Sequence, residues 1–142
     1  MTKIECVEEV HIHTDGGSRG NPGPAGVGAV LKDKKGKQLA EVAKYIGIAT
    51  NNAAEYLAVI YALQEAQYLK AEKIVLYLDS QLVARQLTGE YRVKDQDIKK
   101  FFDLTINCLR FFKKVDIKEI PREENSEADK LVNQALDLHA LI

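Results

Sequence analysis

Residues 9–14 alternate polar and apolar positions and are rich in Val, Ile and His, the pattern of a half-buried strand. Asp15-Gly16-Gly17 is expected to end that strand, and Gly20-Asn21-Pro22-Gly23-Pro24 reads as a turn-rich connection. A second strand is expected over residues 25–31, a hairpin turn at Lys34-Lys35-Gly36-Lys37, and a third strand over 38–46. The period then changes. From Asn51 to Leu69 small and apolar residues recur at helical spacing, at Ala54, Leu57, Ala58, Tyr61, Ala62 and Leu69. A short apolar strand over 73–78 follows, then helices over 81–87 and 98–112, a last strand over 115–120 and a last helix over 127–138.

Three hairpin-linked strands followed by helical crossovers imply an α/β fold. Its centre is a mixed five-stranded sheet, a three-strand antiparallel meander plus parallel strands, with helices on both faces. A chain of 142 residues suits one domain spanning 1–142. No apolar run approaches the roughly 20 residues of a membrane helix, and the mixed, acidic N-terminal stretch lacks the layout of a secretory signal. Cys6 and Cys108 are far apart and form no metal-spacing motif, so both read as ordinary thiols of a reducing compartment. These points lead us to expect a cytoplasmic protein with no membrane partner.

The formal net charge of −1 excludes a globally basic nucleic-acid binder but leaves room for a local basic surface. Between Arg85 and Lys114 eight basic residues face four acidic ones, leaving +4, which also fits a solvated helix face. Phe101, Phe102, Phe111 and Phe112 stand at helical spacing and are expected in the core. His11 and His13 share one face of the first strand and read as structural. The glycine-rich loop lacks the Gly-Lys-Ser/Thr ending of a nucleotide-binding loop.

Four acids fall at element boundaries: Asp15, Glu55, Asp79 and Asp129. Each has a plain alternative. Asn52-Ala-Ala-Glu55 and Ser126-Glu-Ala-Asp129 resemble capping boxes, Asp79-Ser80 can cap the next helix, and Asp15-Gly16 can be turn chemistry. Topology brings the four together. In the meander the third strand runs parallel to the first, so the helix carrying Glu55 starts at the edge where the first strand ends. Parallel fourth and fifth strands deliver Asp79 and the helix of Asp129 to that same edge. Converging carboxylates repel unless protonated or neutralised. Their hard oxygens suit Mg²⁺ or Mn²⁺. Two such ions about 3.5–4 Å apart clamp the attacking and leaving oxygens of a phosphodiester.

These residues resemble type 1 ribonuclease H of bacteria and archaea, in its compact form. The match runs from about Glu9 to Leu138, and its most specific piece is the run from Thr14 to Gly26, TDGGSRGNPGPAG. The run from Thr50 to Glu55, Asp79-Ser80-Gln81, and the stretch from Asn125 to Asp129 follow in order. The resemblance implies a metal-dependent endonuclease that cuts the RNA strand of RNA–DNA hybrids and leaves 5′-phosphate and 3′-hydroxyl ends. It implies two Mg²⁺ ions, with Mn²⁺ as a substitute. Asp15 bridges both, Asp129 helps hold the ion that activates water, and Glu55 and Asp79 help hold the ion at the leaving oxygen. It assigns minor-groove contacts to Asn21, Asn51, Asn52 and Gln81, contacts near the ribose 2′-hydroxyls to Gly16, Gly17 and Ser18, and a DNA phosphate to Thr50.

Two departures stand out. Many relatives carry a histidine on the loop before the last aspartate. Residues 119–127 here contain none, and Arg122 and Glu123 stand in its place. Arg122 suits a phosphate contact, but a guanidinium shuttles no protons. A basic, Trp-bearing protrusion of some relatives is replaced by the stretch from Gly89 to Lys94, where Arg92 and Lys94 are candidates for the DNA backbone. We expect no separate N-terminal hybrid-binding domain, and with it modest, salt-sensitive affinity and a monomer. Two other readings stay open: a nuclease of this fold that also cuts double-stranded RNA, and a non-catalytic hybrid-binding module.

Overall fold

The computed structural model describes residues 7–142; Cys6 lies outside them. Five strands, β1 (Glu9–Ser18), β2 (Gly23–Asp33), β3 (Gln38–Ala49), β4 (Lys73–Leu78) and β5 (Lys114–Glu119), form one sheet in the order β3-β2-β1-β4-β5. The β1–β2 and β2–β3 pairs are antiparallel, and β4 and β5 extend the sheet in parallel. Four helices, α1 (Asn51–Tyr68), α2 (Gln81–Leu87), α3 (Gln96–Leu109) and α4 (Ser126–Ala140), make the connections and the last element, with a 3-10 turn at Arg122–Glu124 before α4. The expected mixed sheet is the one observed.

Each face of the sheet follows from the period of its strands. On one face Val10, Ile12, Ala29, Leu31, Ile74, Leu76 and Leu78 point into the main core, beneath Tyr56, Val59 and Leu63 of α1 and beside Val83 and Leu109 of α2 and α3. Truncating a fully buried Ile or Leu here to Ala is expected to cost about 2–5 kcal/mol. On the other face α4 packs across β1, β2 and β3. It buries Ala128, Leu131, Val132, Ala135 and Leu136. Helices therefore cover both faces. Among the described residues no helix is long and apolar enough to cross a membrane.

Three boundaries differ from the expectation for identifiable reasons. The first strand does not end at Asp15: Gly16, Gly17 and Ser18 pair with Val27, Gly26 and Ala25, so the diglycine belongs to a ladder rather than a turn. Its glycine serves close approach, because a Cβ on Gly16 would collide with the Ala54 carbonyl and lie 2.7 Å from the Glu55 amide nitrogen. The longer helix starts earlier than expected, since Asp95 caps it by accepting from the amides of Asp97 (2.8 Å) and Ile98 (3.1 Å). It also ends earlier, at Leu109, which leaves Phe111 68% exposed while Phe112 stays buried. Phe101 and Phe102 pack partly buried against the core, so Phe111 alone of the four phenylalanines departs from the expected burial.

A second close approach sits on the opposite face. A Cβ on Gly28 would collide with the Ala128 carbonyl in the first turn of α4. Gly16 and Gly28 thus let α1 and α4 press their N-terminal turns onto the two faces of the sheet at the same edge.

Candidate active site

In the parallel ladder Thr14 pairs with Leu78, so the next residues, Asp15 and Asp79, leave side by side where β4 ends. Gly16 holds the first turn of α1 against β1, which brings Glu55 to the same point. One carboxylate oxygen from each of Asp15, Glu55 and Asp79 lies within 4.8 Å of the other two. Asp129, in the first turn of α4, lines the same cleft but stands outside that tight group.

The capping alternatives are taken by other residues. Thr50 caps α1, its Oγ1 accepting from the Ala53 amide at 3.2 Å. Ser80 caps α2, its Oγ accepting from the Val83 amide at 3.2 Å. At α4 the cap position is Asn125, whose side chain makes no capping bond. Its Nδ2 instead donates to the Thr14 carbonyl (2.8 Å) and to Asp79 Oδ2 (3.1 Å). Neither Glu55 nor Asp79 is needed as a cap, and Ser126 is not the cap of α4.

Among the described residues no cation balances the group. No ion pair among them involves Asp15, Glu55 or Asp79, and Glu55 Oε2 is sealed from solvent without a hydrogen-bond partner. Burial, then the charge of Asp79, pushes the Asp15 carboxyl up to about 7. Burial, then the charges of Asp15 and Asp79, pushes Glu55 well above the usual carboxylate range. An all-oxygen, acid-rich, under-neutralised cluster is the donor set that hard divalent cations fit, and nothing here offers the nitrogen or sulfur that zinc prefers.

The other expected site residues divide into two groups. Gly16, Gly17, Ser18, Asn51 and Arg122 line the cleft with the carboxylates. Asn51 Oδ1 accepts from the backbone amide of Ser18 (2.9 Å) and from its hydroxyl (3.1 Å), and Asn21 Oδ1 accepts from the Asn51 amide (3.1 Å). That network locks the β1–β2 loop to the start of α1. Arg122 is 84% exposed, with Nη2 4.0 Å from Asp129 Oδ1. Thr50, Asn52 and Gln81 are at or beside helix starts, Asn52 and Gln81 exposed, and none lines the cleft. Arg92 and Lys94 are exposed on the α2–α3 connection and do not line it either.

Sequence reasoning passed over Asn125, which is 1% exposed and ties the ends of β1 and β4 to the head of α4. Sequence reasoning quoted it only as the start of the motif from Asn125 to Asp129 and gave it no role, because its partners lie 111 and 46 residues away along the chain. It also passed over Arg19 and Asn133, which line the cleft. His11 and His13 both stack against Tyr77, with centroids at 5.8 and 4.5 Å, and His11 Nδ1 lies 2.9 Å from the Tyr77 hydroxyl.

A family model described as reverse transcriptase-like matches residues 13–135. Among curated relatives, ribonuclease HI of Halobacterium salinarum is 46% identical over 90% of this chain and 64% of its own length. A bifunctional protein of Mycobacterium tuberculosis is 41% identical over 93% of this chain. The chain spans only 36% of the length of that mycobacterial relative. The solved structure of the Halobacterium enzyme superposes with a TM-score of 0.89, covering 91% of this chain and 98% of that one. LC11-RNase H1, solved in complex with RNA/DNA hybrid, is 42% identical, with a TM-score of 0.87 over 94% of this chain and 99% of that one.

Proposed function

The chain belongs to the reverse transcriptase-like family and, within it, to the ribonucleases H, and from that premise we propose that it is a metal-dependent endonuclease hydrolysing the RNA strand of RNA–DNA hybrids. The observation that carries the proposal is the meeting of Asp15, Glu55 and Asp79 within 4.8 Å, without capping duty and, among the described residues, without a counter-cation. The hybrid complex of LC11-RNase H1 supports the substrate class.

In this reading Asp15, Glu55, Asp79 and Asp129 hold two Mg²⁺ ions, or Mn²⁺. Bound there, the ions supply a Lewis-acid clamp for the attacking and leaving oxygens of a phosphodiester. The chain's own residues do the rest. Asn125 orients Asp79 and fixes it to the backbone beside Asp15. Asn51, braced by Ser18 and Asn21, faces the minor groove with Asn52 and Gln81. The backbone from Gly16 to Ser18 reads the ribose 2′-hydroxyls that mark the strand as RNA. Thr50, Arg92 and Lys94 take phosphates of the DNA strand. Arg122 takes a phosphate near Asp129, since its planar guanidinium can fork across two phosphate oxygens. Water attacks phosphorus and the 3′ oxygen leaves, so the products carry 5′-phosphate and 3′-hydroxyl ends.

The decisive experiment follows one labelled RNA strand presented alone, against DNA and against RNA, each with Mg²⁺, Mn²⁺ or EDTA. Metal-dependent cutting in the hybrid alone is the expected result. Cutting of both duplexes keeps the mechanism and widens the substrate class. A folded sample that binds hybrid without metal and never cuts it is a binding module instead.

A further inference from the structure

The cleft does not stop at the carboxylates. It continues along α4, where Asp129, Val132, Asn133 and Leu136 form one stripe at helical spacing, and Arg19 of the β1–β2 loop stands in its wall. Among the described residues, Arg19 and Arg122 are the two cations lining it. Each is held by an acid of α4: Arg122 approaches Asp129, and Arg19 Nη2 donates to Asp137 Oδ1 at 2.6 Å. Eight residues of helix separate the two acids, so Arg19 sits about 12 Å along α4 from Asp129.

The root of Arg19 is fixed by the backbone and its head is tied only by a solvent-exposed pair. Its amide donates to the Pro24 carbonyl at 2.8 Å, and its own carbonyl packs where a Cβ on Gly23 would have to go. The paired side chains remain 46% and 68% exposed. An ion pair that wet is weak and readily exchanged. A phosphodiester is the better partner for the guanidinium, because the planar fork can grip two of its oxygens and a condensed counterion is released in the exchange.

We propose that Arg19 binds a phosphodiester of the cut strand, one or two nucleotides from the scissile bond, and that Asp137 parks its guanidinium when no strand is present. The inference rests on the hybrid-cleavage reading, because it is the scissile phosphate over the carboxylates that lays the cut strand along α4. The contact is sequence-independent and supplies affinity and register rather than chemistry.

The test measures hybrid binding in Mg²⁺ by fluorescence anisotropy across a salt series, with Asp15→Asn as the catalytically silent parent. Adding Arg19→Ala is expected to weaken binding about tenfold and to lower the log–log salt slope by about one. Adding Asp137→Asn is expected to tighten binding about threefold by freeing the arginine. The tightening should vanish when Arg19→Ala is present as well. If Arg19→Ala and Asp137→Asn both weaken binding, the pair is a brace for the loop and the proposal fails. It fails too if Asp137→Asn tightens binding equally without Arg19, which is general charge repulsion. A parent that binds hybrid while Arg19→Ala matches it in affinity and slope overturns this inference alone. A parent that binds no hybrid overturns the hybrid reading as well.

Discussion

Glu9 and Asp15 project from the same face of β1, Glu9 at its start and Asp15 six residues on, level with the end of β4. Glu9 is neutralised on the spot: His11 Nε2 lies 2.8 Å from Oε2, and Lys73 Nζ lies 3.1 Å from Oε1. The hydrogen bonds from His11 and Lys73 hold its carboxyl below the ordinary range. Asp15 has no such partner. Its neighbours are Glu55, Asp79 and Asp129, and burial among them lifts it to about 7. One end of the strand has solved its electrostatics internally and the other has left them unsolved. An acid cluster that opposes its own ionisation persists where something from outside is meant to complete it.

The largest way to break that contrast is Asp15→Asn. Hydrolysis is expected to fall by at least about 10³-fold, read as single-turnover cleavage of hybrid. Stability should move the other way. The folded-state pKa of Asp15 lies above its unfolded value near 3.8, so ionisation opposes folding. That opposition is absent where the group is protonated in both states. It grows from about pH 4 and is complete above about 7. In EDTA at pH 8 the variant should therefore be more stable than the parent by up to about 4 kcal/mol in urea denaturation. A variant that loses activity and stability together would indicate a structural role for the carboxylate.

Asn125→Asp sharpens the contrast by adding another acid to the unsolved end. It replaces the donor to Asp79 and to the Thr14 carbonyl with a charge, in a position that is 1% exposed. Hydrolysis is expected to fall about 10²-fold, and the metal-free protein to lose about 3 kcal/mol. Excess Mg²⁺ should recover part of the stability, because cations offset the added repulsion. Asn125→Ala should cost less activity than Asn125→Asp; the reverse order would mean that Asn125 acts by packing rather than by orienting Asp79.

Protons and divalent ions compete for the same carboxylates, which makes pH a milder lever. At low Mg²⁺ the hydrolysis rate should rise with pH up to about 7, by at most about tenfold per unit, as Asp15 gives up its proton. Raising Mg²⁺ should move the inflection to lower pH. An inflection that stays in place at every Mg²⁺ concentration belongs to some other group.

Much of this site was legible in the chain because topology and turn chemistry are local signals. The meander, the crossovers and the four acids at their boundaries follow from periodicity and breakers. What stayed hidden was tertiary. Gly16-Gly17 reads as a turn until Ala54 and Val27 are known to lie against Gly16. Gly28 sits unremarked in a strand until the first turn of α4 presses on it. Asn125 shows in the sequence only as the first residue of a motif, because its partners are Thr14 and Asp79, far away along the chain. The Phe111 and Phe112 pair shows the same limit: one residue of helix length decides which ring is buried.

The smallest expected effect belongs to the solved end. Glu9→Gln removes a charge that His11 and Lys73 hold at the strand's start, remote from the cleft lining. Partly exposed pairs of this kind contribute little, so Tm should change by less than about 3 °C. The change should carry the opposite pH sign to that of Asp15→Asn. Glu9 has a folded-state pKa below its unfolded value near 4.5, so its ionisation favours folding at neutral pH and that advantage is lost as pH falls through the folded-state value. Glu9→Gln should thus destabilise slightly at pH 7 and make no difference in strong acid, whereas Asp15→Asn stabilises at pH 8 and converges on the parent below about pH 4. Thermal melts of both variants in EDTA between pH 3 and 8 give the two signs directly. If the two curves bend the same way, the opposition between the ends of β1 is not electrostatic.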